Sequence, residues 1–271
     1  MKRKTLYYTD PLNDDFAGTG IKPEKIPADY KYSNESVPYR ICKYFIYNFI
    51  GRPVVFIASK VWYRQKFVNR RSIKDIGNNG AFIYSNHTMM AGDAFIPNIV
   101  CPKYNYIVVG PDAVSIRGIK WLVKLFGAVP VPSSAKGFGS FYKAIKDDVE
   151  KGSTVTIYPE AHIWPYYTGI RPFKDVSFSY PVKFNSPVYV MTNTFSKRKF
   201  SLSRRPKVTT YIDGPVYPDL SMCRRDAVKD LRDRVFEIMS KRAEKSDYEY
   251  IRYVYAGYKT DDPEQNVQKS N

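Results

Sequence analysis

The chain is predicted to adopt an α/β fold, a mixed and largely parallel sheet flanked by helices, preceded by an N-terminal basic amphipathic helical segment. Three observations carry this. Short apolar runs bounded by Gly, Pro or Asn recur at 81–85, 106–110, 154–158 and 187–193. Segments with apolar residues at helical spacing lie between most of them. Two of the runs end in polar clusters, Ser85-Asn86-His87 and Tyr158-Pro159-Glu160, as strands do when they open into a ligand-bearing edge.

Residues 1–38 are polar, are punctuated by Pro11, Pro23, Pro27 and Pro38, and read as an irregular arm that docks through Tyr7, Tyr8 and Phe16. They lack the apolar core of a secretory signal. Residues 39–75 form a different segment. From 39 to 74 there are nine Lys/Arg and no Asp or Glu, interleaved with Ile41, Phe45, Phe49, Ile50, Val54, Phe56 and Trp62. The spacing predicts helix, divided into two pieces at Gly51 and Pro53, lying at a membrane surface. Each cation near an anionic leaflet contributes about 1 kcal/mol. The alternative is that the apolar face packs on the domain.

Residues 76–258 are expected to form the α/β domain. Strand 81–85 is followed by a short helix over 93–99, strand 106–110, and a helix over 116–126 stopped by Gly127. A short extended piece at 128–131 precedes an amphipathic helix over 136–151, stopped by Gly152. Strands at 154–158, 187–193 and 207–212 and a long helix over 226–243 complete it, and 259–271 read as a polar tail.

Composition narrows the function classes. Hydrophobic residues at 44% and charged residues at 25% exclude a disordered chain. The formal charge of +17 favours polyanionic partners such as nucleic acid, an anionic membrane or a phosphorylated co-substrate. The 24 tyrosines suit interfaces with water, bases or lipid headgroups. Cys42, Cys101 and Cys223 are scattered, which fits a reducing, cytosol-facing compartment and no metal site. No uninterrupted apolar run reaches the roughly 20 residues that span a bilayer, so a peripheral location on the cytoplasmic face is expected.

Proton transfer by imidazole at neutral pH can come only from His87 or His162, the two histidines of the chain. A histidine oriented by an aspartate is a general base for a hydroxyl, and Asp93 follows His87 by six positions. Asn86 and His87 could equally cap the strand, and Glu160 and His162 could lie in a solvated loop. No Gly-x-Ser-x-Gly elbow is present, which leaves a covalent acyl-enzyme without support.

These residues resemble a family. Asn86-His87…Asp93 is similar to the His-x4-Asp motif of the glycerolipid acyltransferases, the group of the bacterial lysophosphatidate acyltransferases. Tyr158-Pro159-Glu160 resembles their Phe-Pro-Glu-Gly motif, Arg171-Pro172-Phe173-Lys174 their Pro-Phe-Lys segment, Ser186-Pro187-Val188 their last strand, and Leu125-Phe126-Gly127 the start of their intervening block. Order and separation agree over roughly residues 80–215. The resemblance implies transfer of a fatty acyl group from acyl-CoA or acyl carrier protein to a hydroxyl of a lysolipid acceptor. His87 and Asp93 would be catalytic; Asn86, Glu160, His162, Arg171 and Lys174 would bind substrate. No cofactor or metal would be needed beyond the thioester co-substrate, and the membrane surface would be a partner.

The chain departs from the pattern in three places. Five residues rather than four separate His87 from Asp93, and Gly92 is expected to supply the altered turn. The intervening block, Gly127-Ala128-Val129-Pro130-Val131, lacks the family's terminal arginine. Ala161-His162-Ile163 replaces the Gly-Thr-Arg that follows the family's Glu. Those arginines are associated with an acceptor phosphate, and Arg171, Lys174 and Lys136 are candidate substitutes. Two other classes compete. A nucleic-acid-binding protein would explain the charge and the tyrosines but not His87, Asp93 and Glu160 at strand ends. A lipid-surface protein with an inactive site would explain the lengthened spacing.

Overall fold

A computed structural model describes residues 3–257 apart from 18–19, 33–35, 75, 77–79, 116–117, 119 and 200–202. Its strands are β1 (Lys4–Tyr8), β2 (Lys66–Val68), β3 (Ala81–Ser85), β4 (Asn105–Val109), β5 (Ala128–Pro130), β6 (Thr154–Ile157), β7 (Val188–Ser196), β8 (Lys207–Val216) and β9 (Ile251–Tyr255). Its α-helices are α1 (Val37–Phe45), α2 (Arg52–Trp62), α3 (Ala91–Val100), α4 (Lys120–Leu125), α5 (Phe138–Glu150), α6 (Ser179–Phe184) and α7 (Arg224–Ala243).

Seven of the described strands form one sheet in the order β2-β8-β7-β3-β6-β4-β5. Every pairing is parallel except the antiparallel β7–β8. Central β3 is buried at all five residues because both faces are covered. Strand alternation sends Phe82 and Tyr84 into one core with Phe141 and Ile145 of α5 and Leu231 and Val235 of α7. It sends Ala81 and Ile83 into the other core with Ile96 and Val100 of α3. Each such large apolar side chain, fully buried, contributes about 1.5–3 kcal/mol.

The fold class follows the expectation from sequence, with four differences. The N-terminal arm is not irregular throughout: β1 pairs in parallel with β9 to make a second, two-stranded sheet. Its Lys-Thr-Leu-Tyr-Tyr sequence has no clean alternation, and its hydrogen bonds come from the other end of the chain. β2 lies inside the basic segment and owes its conformation to β8 in the same way. The helix expected over 116–126 is helical at Lys120–Leu125, with 116, 117 and 119 outside the described residues. The tail at 259–271 also lies outside them.

The fourth difference is the largest. Gly51 and Pro53 do not divide the basic segment; Val37–Trp62 is one continuous helical rod, with a π-helical turn over Ile46–Gly51. Pro53 lacks an N–H and its ring crowds the carbonyl four residues back, and the wider π turn just before it accommodates both. Gly51 is required by close approach, since a Cβ there would sit 2.3 Å from the Phe126 ring. The rod is 26 residues, about 39 Å at 1.5 Å per residue, and by length and composition it is apolar enough to cross a membrane, although Arg40, Lys43, Arg52 and Lys60 interrupt it. Only 11% of its most apolar window is buried. Tyr47 and Gly51 face the domain, while Ile41, Phe45, Phe49, Ile50, Val54 and Ile57 are exposed.

Candidate active site

β3 delivers the first half of the site. Just past its end, the Asn86 side chain donates to the Asn193 carbonyl at 3.0 Å and accepts the Asn193 N–H at 2.8 Å, clamping β3 to β7. His87 therefore leaves the sheet from a fixed point. The chain turns at once: Gly92 N–H donates to the Met89 carbonyl at 2.8 Å, and Met90 has φ 49° and ψ −119°. Those are the angles of the first central residue of a type II′ turn, a place that favours glycine. The first turn of α3 then brings Asp93 back, with its Oδ2 2.8 Å from His87 Nδ1 and 2.8 Å from the Met89 N–H. The carboxylate sits in the helix's first turn, where the unpaired N–H groups and the helix dipole favour a negative charge.

The five-residue spacing thus closes the dyad, but not through the residue expected. Gly92 is not in the positive-φ region; that strain falls on Met90. Gly92 serves close packing instead, because a Cβ there would meet Met89 Cβ at 3.0 Å and Ile96 Cδ1 at 3.1 Å.

β6 delivers the second half. The Tyr158 ring stacks on the His87 imidazole at 4.3 Å between centroids, 20° from parallel, and its hydroxyl donates to the Asp93 carbonyl at 2.7 Å. Glu160 accepts the His87 backbone N–H at 2.9 Å through Oε2 and the Arg171 backbone N–H at 2.8 Å through Oε1. The Arg171 guanidinium lies 3.5 Å from Glu160 Oε2, donates to the carbonyls of His162 and Pro11, and stacks over Trp164 at 4.9 Å. Burial raises the Glu160 carboxyl above the ordinary carboxylate value, against the pull of Arg171 and the two backbone amides. Burial lowers the Arg171 guanidinium, against the pull of Glu160. Each charge of this pair is held in an apolar setting by the other.

The N-terminal arm straps this loop in place. Phe16 N–H donates to the Ile163 carbonyl at 3.1 Å, Trp164 Nε1–H to the Asp14 carbonyl at 2.7 Å, and Ile163 N–H to Asp15 Oδ1 at 3.2 Å. The loop is stitched to the first half by Trp164 N–H donating to the His87 carbonyl at 3.1 Å and Tyr166 N–H to the Thr88 carbonyl at 2.8 Å.

The structure therefore joins His87, Asp93, Glu160 and Arg171 in one hydrogen-bonded unit. Asn86 is buried and spends its amide on Asn193. His162 joins through its carbonyl, with a half-buried ring, and Lys174 is exposed. Asn86, Glu160 and Arg171, expected to touch substrate, are buried supports of the dyad in this geometry. Tyr158 and Trp164 are not among the site residues expected from sequence; the arm docks as expected through Tyr8 and Phe16, whose rings pack on Trp164, but its strap across this loop was not expected. Tyr158 had a signal in its place beside Glu160, whereas nothing local connects residues 11–16 to the site. Among the described residues no group of three or more His, Cys, Asp and Glu is placed to hold a metal ion.

With its carboxylate accepting from Nδ1, Asp93 selects the tautomer that leaves the Nε2 lone pair for a substrate proton. The imidazole side chain is 16% exposed, against 2% for Asp93. That is the arrangement of an oriented general base.

The family model described as Acyltransferase matches residues 63–194, which contain both halves of the site. The chain carries an acyltransferase-family domain. The acyltransferase domain's fold is similar to the crystal structure of the 1-acyl-sn-glycerophosphate (LPA) acyltransferase PlsC from Thermotoga maritima, with a TM-score of 0.55 and 14% identity over 79% of this chain and 86% of that one. At that identity the likeness is one of fold. No curated protein sequence matches the chain. Within the acyltransferase domain, Ala161 takes the place of the motif glycine after Glu160 and has φ 63°, the left-handed region that glycine adopts without strain.

Proposed function

We propose that this protein transfers a fatty acyl group from an acyl thioester, acyl-CoA or acyl carrier protein, to a hydroxyl of a lysophospholipid-type acceptor at the cytoplasmic face of a membrane. The observation that carries the reading is the 2.8 Å contact between His87 Nδ1 and Asp93 Oδ2, at the carboxyl edge of a parallel sheet within an acyltransferase-family domain. Nε2 takes the acceptor's hydroxyl proton as its oxygen attacks the thioester carbonyl. The C–O bond forms, the tetrahedral intermediate collapses, the C–S bond breaks, and the imidazolium returns the proton to the departing sulfur. Asp93 stabilises the imidazolium between these steps. Glu160 and Arg171 act as positioning residues, because Glu160 accepts the His87 backbone N–H and Arg171 holds Glu160 and the loop carbonyls of His162 and Pro11. His162 and Lys174 remain the side chains of the set available to an acceptor.

The membrane assignment rests on the rod. Its C-terminal end lies beside the turn that carries the dyad: α2 packs on α3, and the Tyr63 hydroxyl just beyond α2 donates to the Met89 carbonyl at 3.4 Å. A lipid acceptor held at that end of the rod would lie close to His87.

The test is thiol release from acyl-CoA with a panel of lysolipids. Wild type should release thiol only when an acceptor is present, and His87→Ala should abolish release with an unchanged circular dichroism spectrum. A folded His87→Ala protein with wild-type turnover would sink the assignment.

A further inference from the structure

A cavity of about 1600 Å³ lies not beside the dyad but at the opposite edge of the sheet. His87 and Glu160 follow the carboxyl ends of β3 and β6, whereas Lys103, Tyr104 and Ser153 line the cavity from just before β4 and β6. Strands of four to five residues separate the two edges by about 16 Å. The cavity's far wall is α1 and its rim includes Trp121 of α4.

Its lining is strongly cationic. Among the described residues, Lys31, Arg40, Lys43, Lys103, Lys124 and Lys151 contribute six positive charges against the single carboxylate of Asp148. Tyrosines hold some of these cations in place: Lys43 Nζ lies 3.8 Å over the Tyr104 ring and 5.0 Å over Tyr106, and Lys124 Nζ 4.8 Å over Tyr30. A lysine over a tyrosine face is already partly desolvated, so its attraction for an anion is less screened than on open surface. The volume exceeds the roughly 300–1,000 Å³ of ordinary small-molecule sites. Most telling is the rim: Val37, Ile41, Tyr44, Phe45 and Trp121 are each more than half exposed. A soluble phosphate needs no apolar rim. A phospholipid, with an anionic headgroup and acyl chains, needs both.

We propose that this cavity binds the headgroup of an anionic phospholipid whose chains lie along the exposed face of α1. It is a second lipid site, separate from the dyad, that would hold one end of the rod on an anionic leaflet while the other end presents acceptor to His87. The proposal rests on the reading of the rod as membrane-facing.

The experiment compares full-length wild type with Lys31→Gln/Lys103→Gln/Lys151→Gln, and with Lys229→Gln/Lys241→Gln/Lys245→Gln on and just after α7 as a charge-matched control. Each is sedimented with vesicles of phosphatidylcholine alone and of phosphatidylcholine doped with phosphatidylglycerol. Each is also titrated with soluble dihexanoyl-phosphatidylglycerol, glycerol 3-phosphate and inorganic phosphate. The cavity variant should lose affinity for the doped vesicles by roughly a hundredfold, from three cations at about one kcal/mol each, and lose binding of the short-chain lipid, while the control loses far less. Equal losses in the two variants would overturn the site. Glycerol 3-phosphate or inorganic phosphate binding as tightly as the short-chain lipid would overturn the lipid assignment. A wild type that sediments with neither vesicle yet binds short-chain lipid through the cavity lysines would support the site and overturn the membrane-facing reading of the rod.

Discussion

Glu160 accepts the backbone N–H of His87 at 2.9 Å, so the carboxylate after β6 holds the main chain of the catalytic candidate after β3. Its charge is matched by Arg171, itself 1% exposed. Removing one member of such a pair leaves an uncompensated buried charge and costs about 3–5 kcal/mol, while removing both is far milder. Arg171→Met should therefore destabilise the protein by that amount in urea denaturation, and Glu160→Gln/Arg171→Met should recover most of it. The double variant should retain KM and lose kcat, because the introduced amide can still accept one N–H but no longer fixes the loop. Full wild-type kcat in the double variant would remove Glu160 from any positioning role.

Asp93→Asn keeps the size of the side chain but can present an amide where a carboxylate accepted two N–H bonds. It should lower acyl transfer by about 10²–10⁴-fold, the range for losing an oriented general base, with little change in acceptor KM. Initial-rate kinetics on the acceptor-dependent thiol release would show it.

Met90 and Ala161 both hold positive φ, at 49° and 63°, on the two turns that frame the dyad. Each is a place where glycine relieves backbone strain of about 1–3 kcal/mol, offset in part by the greater freedom of glycine in the unfolded chain. Met90→Gly and Ala161→Gly should each raise the unfolding free energy by about 1 kcal/mol and leave the dyad distance intact. A lowered Tm in both would contradict the strain argument.

Asp148, on α5 at the back of the cationic cavity, is raised from 3.8 to about 6 chiefly by burial; Asp147 adds to the rise, while a Tyr106 hydrogen bond and Lys43 and Lys151 oppose it. Between those two values the folded state holds a proton that the unfolded state has lost, so stability falls as pH rises through the window. Asp148→Asn should abolish that fall and stabilise the protein at pH 7 by about 2–3 kcal/mol, read from urea midpoints across the pH range.

How much of this is legible in the sequence follows from where each interaction comes from. The apolar runs at 81–85 and 154–158 mark central strands because both faces of β3 and β6 are buried, and burial writes itself into composition. The polar residues at their ends mark the site for the complementary reason: Asn86, His87 and Glu160 have no place in an apolar core unless something there uses them. The dyad itself was readable as a pair, since six positions is short enough for one turn to close. Which residue absorbs the turn was not readable: steric freedom suggested Gly92, yet the positive φ falls on Met90 while Gly92 serves close packing against Met89 and Ile96.

By itself the sequence determined the layer architecture, the order of the elements and the two strand ends that meet, because periodicity and burial act along a few residues at a time. Only the tertiary structure decided that residues 11–16 strap the Glu160 loop, that β1 pairs with β9, and that Val37–Trp62 is one rod. It also decided that Glu160 holds the main chain of His87 and is itself paired with Arg171. Those outcomes depend on hydrogen bonds and close approaches between distant parts of the chain, and such contacts leave no local pattern to read.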